Sequence, residues 1–216
     1  MNPGRAPASG RVINTHALAL ENRAHSAGRH IIANFECMEN FLIHSANSGM
    51  TYSAYKELVA RLISEGKTTG HVQSETYLNY TQLNAQRMQR IDKTLQLLPE
   101  TVKAATALKK HYTFLVITEG WCGDAAQSVP VIAALEGASL TVRLVLRDDN
   151  PELMNRYLTN GSRSIPRLIC FETASGEEQF NWGPRPAVLQ ELVMNLKANG
   201  ASAEEKSLAV QKWYNA

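Results

Sequence analysis

Residues 119–130, EGWCGDAAQSVP, join an apolar run to a helix-like segment and hold a cysteine, Cys122, at the junction. The preceding residues 112–118, YTFLVIT, are rich in β-branched and aromatic side chains, which is typical of a central parallel strand. A thiol at the start of a helix faces unpaired backbone N–H groups and the positive end of the helix dipole, and both lower its pKa. The position three residues on, where a second redox cysteine would stand, is Ala125. The stretch therefore predicts a strand, a turn and a helix that present a single thiol.

The flanking sequence predicts alternating strands and helices. Three further strands are indicated over residues 140–146, 166–172 and 176–183, the last two joined by a hairpin at TASG. Helical spacing, proline starts and glycine stops predict helices over residues 51–66, 74–98, 99–110, 123–135, 150–161 and 186–200, and a Ser202–Glu205 capping box opens a last one. These elements predict an α/β fold with a mixed sheet of about four strands, flanked by helices and preceded by a helical extension.

Composition and charge narrow the range of partners. The chain has 216 residues and a net charge of only +2, which gives no reason to expect a nucleic acid or a membrane surface as a partner. Three cysteines, Cys37, Cys122 and Cys170, form no close pair, which fits a reducing, cytoplasmic setting. The histidines show no metal-ligand spacing, so we expect neither a metal nor a cofactor.

The first 48 residues are the least patterned part of the chain. An acid-poor, arginine-bearing start can be a transit peptide, but no secretory apolar core accompanies it. We favour a disordered tail, or a start codon assigned too early with Met38 or Met50 as the true one, and expect little contribution to the core. The predicted organisation is therefore an uncertain segment at 1–48, a helical extension at 49–110 and the α/β domain at 111–216. Cys37 is a remote candidate for a second thiol.

Several landmarks together resemble the thioredoxin superfamily. Trp121-Cys122-Gly123 matches the first half of its Trp-Cys-Gly-Pro-Cys active site, and Pro130 stands where the family has a proline in the following helix. Residues 161–171, GSRSIPRLICF, resemble the segment that carries the family's cis-proline, with Pro166 placed 44 residues after the cysteine. Gly183 matches a glycine after the last strand. The resemblance covers about residues 111–198 and is closest to a bacterial branch with an N-terminal helical extension.

The resemblance implies a thioredoxin-like fold and a set of site residues. Cys122 would be the reacting thiol, and a cis Ile165–Pro166 bond would set the Ile165 backbone beside its sulfur, free to pair with a peptide-like substrate. Trp121 would supply an apolar wall. The substrate-binding residues implied are Trp121, Gly123, Asp124, Ile165 and Pro166.

The sequence also departs from the family pattern. Ala125 replaces the resolving cysteine, Val116 stands where thioredoxins commonly keep a buried aspartate, and Leu144 stands where a lysine often pairs with it. Asp124 replaces a proline, and its carboxylate would repel a thiolate and compete with it for N–H groups, so Cys122 should be less acidic than a standard active-site thiol. Cys170 has apolar neighbours about 13 Å along a strand from Pro166, which is typical of an inert core residue.

Two functions remain open from the sequence. In the first, Cys122 exchanges as a monothiol with mixed disulfides of a protein or a low-molecular-weight thiol, and a second external thiol releases it. Arg163 and Arg167 would then attract an acidic small thiol. In the second, the protein is a non-catalytic binding module that holds a partner in the cis-proline groove. We favour the first by a small margin, and the oligomeric state is left open.

Overall fold

Four strands form one mixed sheet in the order β2-β1-β3-β4 in the computed structural model, which describes residues 41–215. The strands are β1 (Tyr112–Thr118), β2 (Leu140–Leu146), β3 (Arg167–Glu172) and β4 (Glu178–Trp182). The β1–β2 pair is parallel, whereas the β1–β3 and β3–β4 pairs are antiparallel. The predicted mixed four-stranded sheet is confirmed.

The central position of β1 explains its almost continuous apolar sequence. It pairs with β2 on one side and β3 on the other, and Leu115, Val116 and Ile117 are fully buried. Side chains on both faces of such a strand are removed from water, so an alternating polar face is not expected. The strand β1 therefore ends, at Thr118, deep in the molecule and next to the cysteine turn.

Eight helices lie around this sheet within the described residues. They are α1 (residues 41–47), α2 (Tyr52–Ser64), α3 (Glu75–Thr94), α4 (Pro99–Thr106), α5 (Gly123–Ala133), α6 (Pro151–Arg156), α7 (Ala187–Ala198) and α8 (Ala203–Asn215). The predicted capping box is present at α8, where Glu205 Oε2 accepts from Ser202 N at 2.7 Å and Ser202 Oγ accepts from Glu205 N at 3.1 Å. Pro130 lies inside α5, as predicted.

Three helices end four or more residues before their predicted ends, namely α3, α4 and α6. Helix α6 ends at Arg156 rather than near residue 161, because Thr159 and Ser162 exchange backbone hydrogen bonds of 2.9 and 3.0 Å in a tight turn. Helix α3 ends at Thr94, and Leu95 is already extended. At the ends of α3 and α6 the apolar residues continue at helical spacing while the backbone does not, so periodicity alone overestimated their length.

The segment before α2 belongs to the core, which corrects one expectation. Leu42 is fully buried and Ala46 nearly so, and Met50 exchanges two 2.8 Å backbone hydrogen bonds with Leu144 at the free edge of β2. The expectation that residues 1–48 contribute little to the core is therefore wrong for residues 41–48. Two apolar residues four positions apart fill one face of a two-turn helix, which is too short to show a sustained period. Residues 1–40, with Cys37, lie outside the described part of the chain.

Across residues 41–215, none of the helices has both the length and the apolar character that crossing a bilayer requires.

Candidate functional site

Cys122 occupies the junction that its sequence position predicts. It is the N-cap of α5, and its backbone N donates to Glu119 O at 3.1 Å. Its Sγ donates to Ile165 O at 3.3 Å across 43 residues, and the Ile165–Pro166 peptide bond is cis. The fold thus brings the thiol and the backbone of the proline loop into direct contact.

The surroundings of Cys122 keep its thiol protonated. The residue is only 8% exposed. Burial, and after it the carboxylate of Asp124, raises the pKa of the Cys122 thiol to about 12, although the backbone N–H groups of Asp124 and Ala125 and the charge of Arg185 act in the opposite direction. The acidifying effect expected from the helix N-terminus is present but is outweighed by desolvation.

Asp124 lies in a buried ion pair beside the thiol. Arg185 Nη2 lies 2.6 Å from Asp124 Oδ2, and Tyr214 donates its hydroxyl to Asp124 Oδ1 at 3.2 Å. Burial raises the pKa of the Asp124 carboxyl, and Arg185 and Tyr214 oppose that rise. Asp124 therefore connects the first turn of α5 to the loop after β4 and to the C-terminal helix α8.

Trp121 is held by an aromatic ring and a cation. Its indole stacks on Tyr77 of α3, with ring centres 5.0 Å apart and an interplanar angle of 12°. The guanidinium carbon of Arg147 lies 4.7 Å from the indole centre, and Arg147 Nε is paired with Asp148 Oδ1 at 2.8 Å. Trp121 therefore lines the groove together with Tyr77 and Arg147, and that part of the lining is both aromatic and cationic.

The helical part before the sheet positions the backbone of the cysteine turn. Asn84 of α3 donates from Nδ2 to Gly120 O at 2.9 Å, and Gly120 N donates to Thr69 Oγ1 at 2.7 Å. A Cβ at Gly120 would meet the side chains of Thr81 and Thr69 at 3.2 and 3.4 Å, so a larger residue here would press on Thr81 of α3. These contacts span 36 and 51 residues, and nothing local in the sequence signals them.

A groove of about 780 Å³ opens over Cys122. Its walls come from α3, the cysteine turn, residues 163–165, residues 184–185, α7 and α8. Five of the six site residues inferred from the sequence line it, namely Trp121, Cys122, Gly123, Asp124 and Ile165, whereas Pro166 does not. The groove is the place where the described chain offers a ligand direct access to the thiol region.

The two arginines that flank Pro166 have different positions. Arg163 lines the groove. Arg167 does not line it, because its guanidinium donates to Gly183 O at 2.7 Å and to Asn181 Oδ1. Gly183 has a φ of +125°, and a Cβ there would collide with Pro166 O, so this glycine and Arg167 together hold the proline loop against β4.

One family model and several solved structures are similar to this chain. A thioredoxin family model matches residues 70–201, which is more than half of the chain. The chain belongs to the thioredoxin family. A crystal structure of a protein of unknown function from Pseudomonas aeruginosa is similar with a TM-score of 0.49 and 12% identity, over 79% of this chain and 93% of that one. An HIV epitope scaffold is similar with a TM-score of 0.48 and 13% identity, over 78% and 96% of the two chains. None of the curated proteins compared with the chain matches it.

Two of the positions at which this thioredoxin-family chain departs from the usual site, Val116 and Leu144, lie in an apolar environment. Val116 and Leu144 face each other in the β1–β2 register and are fully buried, so neither position offers an ionisable group. Cys170 is buried within β3, where burial raises the pKa of its thiol to about 11. No second cysteine of the described chain lines the groove, and no group of three metal-binding side chains occurs within residues 41–215.

Two buried ionisable residues near Cys122 were missed by the sequence analysis. Glu119 is 0% exposed; its Oε1 accepts from Asp148 N at 3.0 Å, while its Oε2 has no hydrogen-bond partner among the described residues. Burial raises the pKa of the Glu119 carboxyl. Burial also raises the pKa of the Tyr55 hydroxyl, and the neighbouring Cys122 and Glu119 add to that rise. Glu119 directly follows the apolar run of β1, and that position was a signal for a buried acid in the sequence, whereas no local pattern marks Tyr55 as a neighbour of Cys122.

Proposed function

We propose that this thioredoxin-family protein is a binding module that holds a ligand in the groove over Cys122 and keeps that cysteine as a neutral thiol. The observation that supports it most is the placement of Cys122 Sγ, which is buried, donates to Ile165 O and lies beside the Asp124 carboxylate. Each of these features favours the thiol over the thiolate.

The expected ionisation shows how far the site is from standard exchange chemistry. With a pKa of about 12, roughly one Cys122 in 10⁵ is a thiolate at pH 7, whereas a free cysteine of pKa ~8.5 is a few per cent ionised. The higher basicity of the rare thiolate offsets part of this loss, because nucleophilicity rises with pKa with a slope of about 0.4–0.5. The net expectation is an exchange rate about 100-fold below that of a free cysteine at pH 7.

Monothiol exchange is the second candidate, and the position of Cys122 on the groove wall favours it. In that reaction the Cys122 thiolate attacks one sulfur of a disulfide RSSR, a Cys122–SR bond forms, and RS⁻ leaves and takes up a proton. An external thiol R′SH then attacks the adduct, which restores the Cys122 thiol and yields RSSR′. No second thiol of the protein takes part in either step.

The pH dependence of adduct formation separates the two candidates. Reduced protein is treated with bis(2-hydroxyethyl) disulfide between pH 6.5 and 9.5, the adduct is assigned to Cys122 by peptide mapping, and circular dichroism verifies the fold at each pH. For the binding module we expect a slow reaction at pH 7 whose rate rises about tenfold per pH unit without a plateau. A plateau below pH 9, or a rate at pH 7 equal to that of a free cysteine peptide, would establish exchange chemistry instead. A Cys122→Ser variant is the control for reaction at other cysteines.

A further inference from the structure

Positive charge is concentrated around the groove. Six cationic side chains line it against one carboxylate, that of Asp124. The cations are Arg87, Arg147, Arg163, Arg185, Lys197 and Lys206. Since the whole chain has a net charge of only +2, this concentration is a property of the fold and is invisible in the composition.

Four of these cations have no carboxylate partner within residues 41–215, and two of the four, Arg87 and Arg163, are oriented by neutral side chains. Of the six, Arg147 and Arg185 alone form an ion pair with a carboxylate of residues 41–215. Arg163 Nε donates to the amide oxygen of Asn155 at 2.9 Å. Arg87 donates to the amide oxygens of Asn84 and Gln211, each at 2.9 Å. Neutral partners fix the direction of a guanidinium while its charge remains available to a ligand.

Two of the arginines would gain directly from an anion. Burial lowers the pKa of the Arg87 guanidinium, Arg90 adds to that effect, and the negative charge of Asp124 offsets it only in part. The Nε of Arg185 is buried and has no hydrogen-bond partner in the described chain. An unpaired buried donor costs free energy, and the Arg185 Nε would gain an acceptor only if an anionic oxygen reached it from the groove.

The shape of the groove suits a small molecule. Helix α8 lies along one wall and is tied across to the other side by Gln211 with Arg87 and by Tyr214 with Asp124. The volume of about 780 Å³ lies within the ~300–1,000 Å³ typical of small-molecule sites. Tyr80 and Leu83 of α3 add exposed apolar surface to the same wall.

We propose, building on the binding function above, that the groove takes a small organic anion with at least two negative charges and an apolar portion. The charges would lie toward Arg87, Arg163 and Lys206, and the apolar portion against the Tyr80 and Leu83 wall. Its selectivity over neutral analogues comes from the unneutralised cations.

The first experiment measures the electrostatic potential at the thiol. Cys122 is modified at pH 9 with 2-sulfonatoethyl methanethiosulfonate and, separately, with its cationic trimethylammonium analogue, and each rate is divided by that of free cysteine. The preference is the relative rate of the anionic reagent divided by that of the cationic reagent. We expect it to be at least tenfold at low salt and to fall toward one at 0.5 M salt. Arg163→Gln and Lys206→Gln should each reduce the preference about two- to threefold, whereas Lys109→Gln, an exposed lysine outside the groove, should not. No preference in the wild type, or an equal fall in the Lys109→Gln control, overturns the inference.

The second experiment measures binding itself. Adipate, a dianion with an apolar chain, is compared with neutral 1,6-hexanediol at 10 mM by thermal unfolding at low salt. For a Kd near 1 mM, adipate should stabilise the protein by about 1.4 kcal/mol, which raises Tm by roughly 3–5 °C, and hexanediol should not. Arg163→Gln should reduce the rise in Tm that adipate causes. An equal rise in Tm with both compounds, or no rise with adipate, refutes the anion site. This outcome is independent of the pH profile of Cys122, so the anion site and the neutral-thiol proposal fail separately.

Discussion

Replacing Asp124 by asparagine should make Cys122 more reactive. The Asp124 carboxylate is the second-largest cause of the raised pKa of the thiol, after burial, and Arg185 is its ion-pair partner at 2.6 Å. The Asp124→Asn variant removes the negative charge and leaves the Arg185 charge to act on Cys122. Both changes favour the thiolate, so the pKa of Cys122 should fall.

The size of the effect follows from the ionised fraction. A neighbouring charge typically shifts a pKa by 1–3 units, and a fall of about two units from a pKa of about 12 raises the thiolate fraction at pH 8 about 100-fold. The nucleophilicity of each thiolate drops about eightfold over the same two units, because the Brønsted slope is about 0.4–0.5. The expected gain in adduct formation is therefore about tenfold.

The assay is the second-order rate of adduct formation at Cys122 with bis(2-hydroxyethyl) disulfide at pH 8, measured by intact mass spectrometry. Asp92→Asn is a matched control, because Asp92 of α3 also has a cation and a tyrosine hydroxyl as partners. It accepts from the Tyr52 hydroxyl at 2.9 Å and from Lys56 Nζ at 2.7 Å, both on α2. It should leave the rate unchanged. An Asp124→Asn protein that keeps its fold and reacts within twofold of the wild type would falsify the role given to this carboxylate.

Three further predictions concern the core, a buried acid and the missing thiol. Leu42→Ala should lower the free energy of unfolding, measured in urea, by about 2–5 kcal/mol, because it leaves a cavity at a fully buried position. A loss below about 1 kcal/mol would show that residues 41–48 contribute little to the core. Burial raises the pKa of the Glu119 carboxyl in the folded protein above its unfolded value of about 4.3. The contribution of the protonated carboxyl to folding stability is therefore complete below that unfolded pKa and is lost as the pH rises through the folded pKa. The Glu119→Gln variant should therefore be more stable than the wild type by about 1 kcal/mol at pH 7 but not at pH 4. If the variant and the wild type have the same urea midpoint at pH 7 as well as at pH 4, this prediction is wrong. Ala125→Cys places a thiol within the first turn of α5, close in sequence to Cys122. This thiol should release a Cys122 adduct, and insulin disulfide reduction should rise above the wild-type level. If the adduct lasts as long as it does in the wild type, the introduced thiol does not reach Cys122.

The sheet and the cysteine turn were predictable because their signals are local. Strand β1 was visible as a run of β-branched and aromatic residues, and β2 as a second one, and both occur at the predicted residues. The start of α8 was visible because a capping box lies within four consecutive residues. Helix ends were less predictable, since apolar spacing continues past Thr94 and Arg156 while the backbone turns away.

By itself, the sequence determined where the strands run, where the single thiol stands at the start of α5, and that Ala125 leaves it without an adjacent partner. Only the tertiary structure decided the chemical state of that thiol. The Asp124 carboxylate meets Tyr214 across 90 residues of chain, and Cys122 meets Ile165 across 43. Burial and charge are sums over such long-range neighbours, so a helix N-terminus that would acidify an exposed cysteine is overruled here by desolvation and one carboxylate.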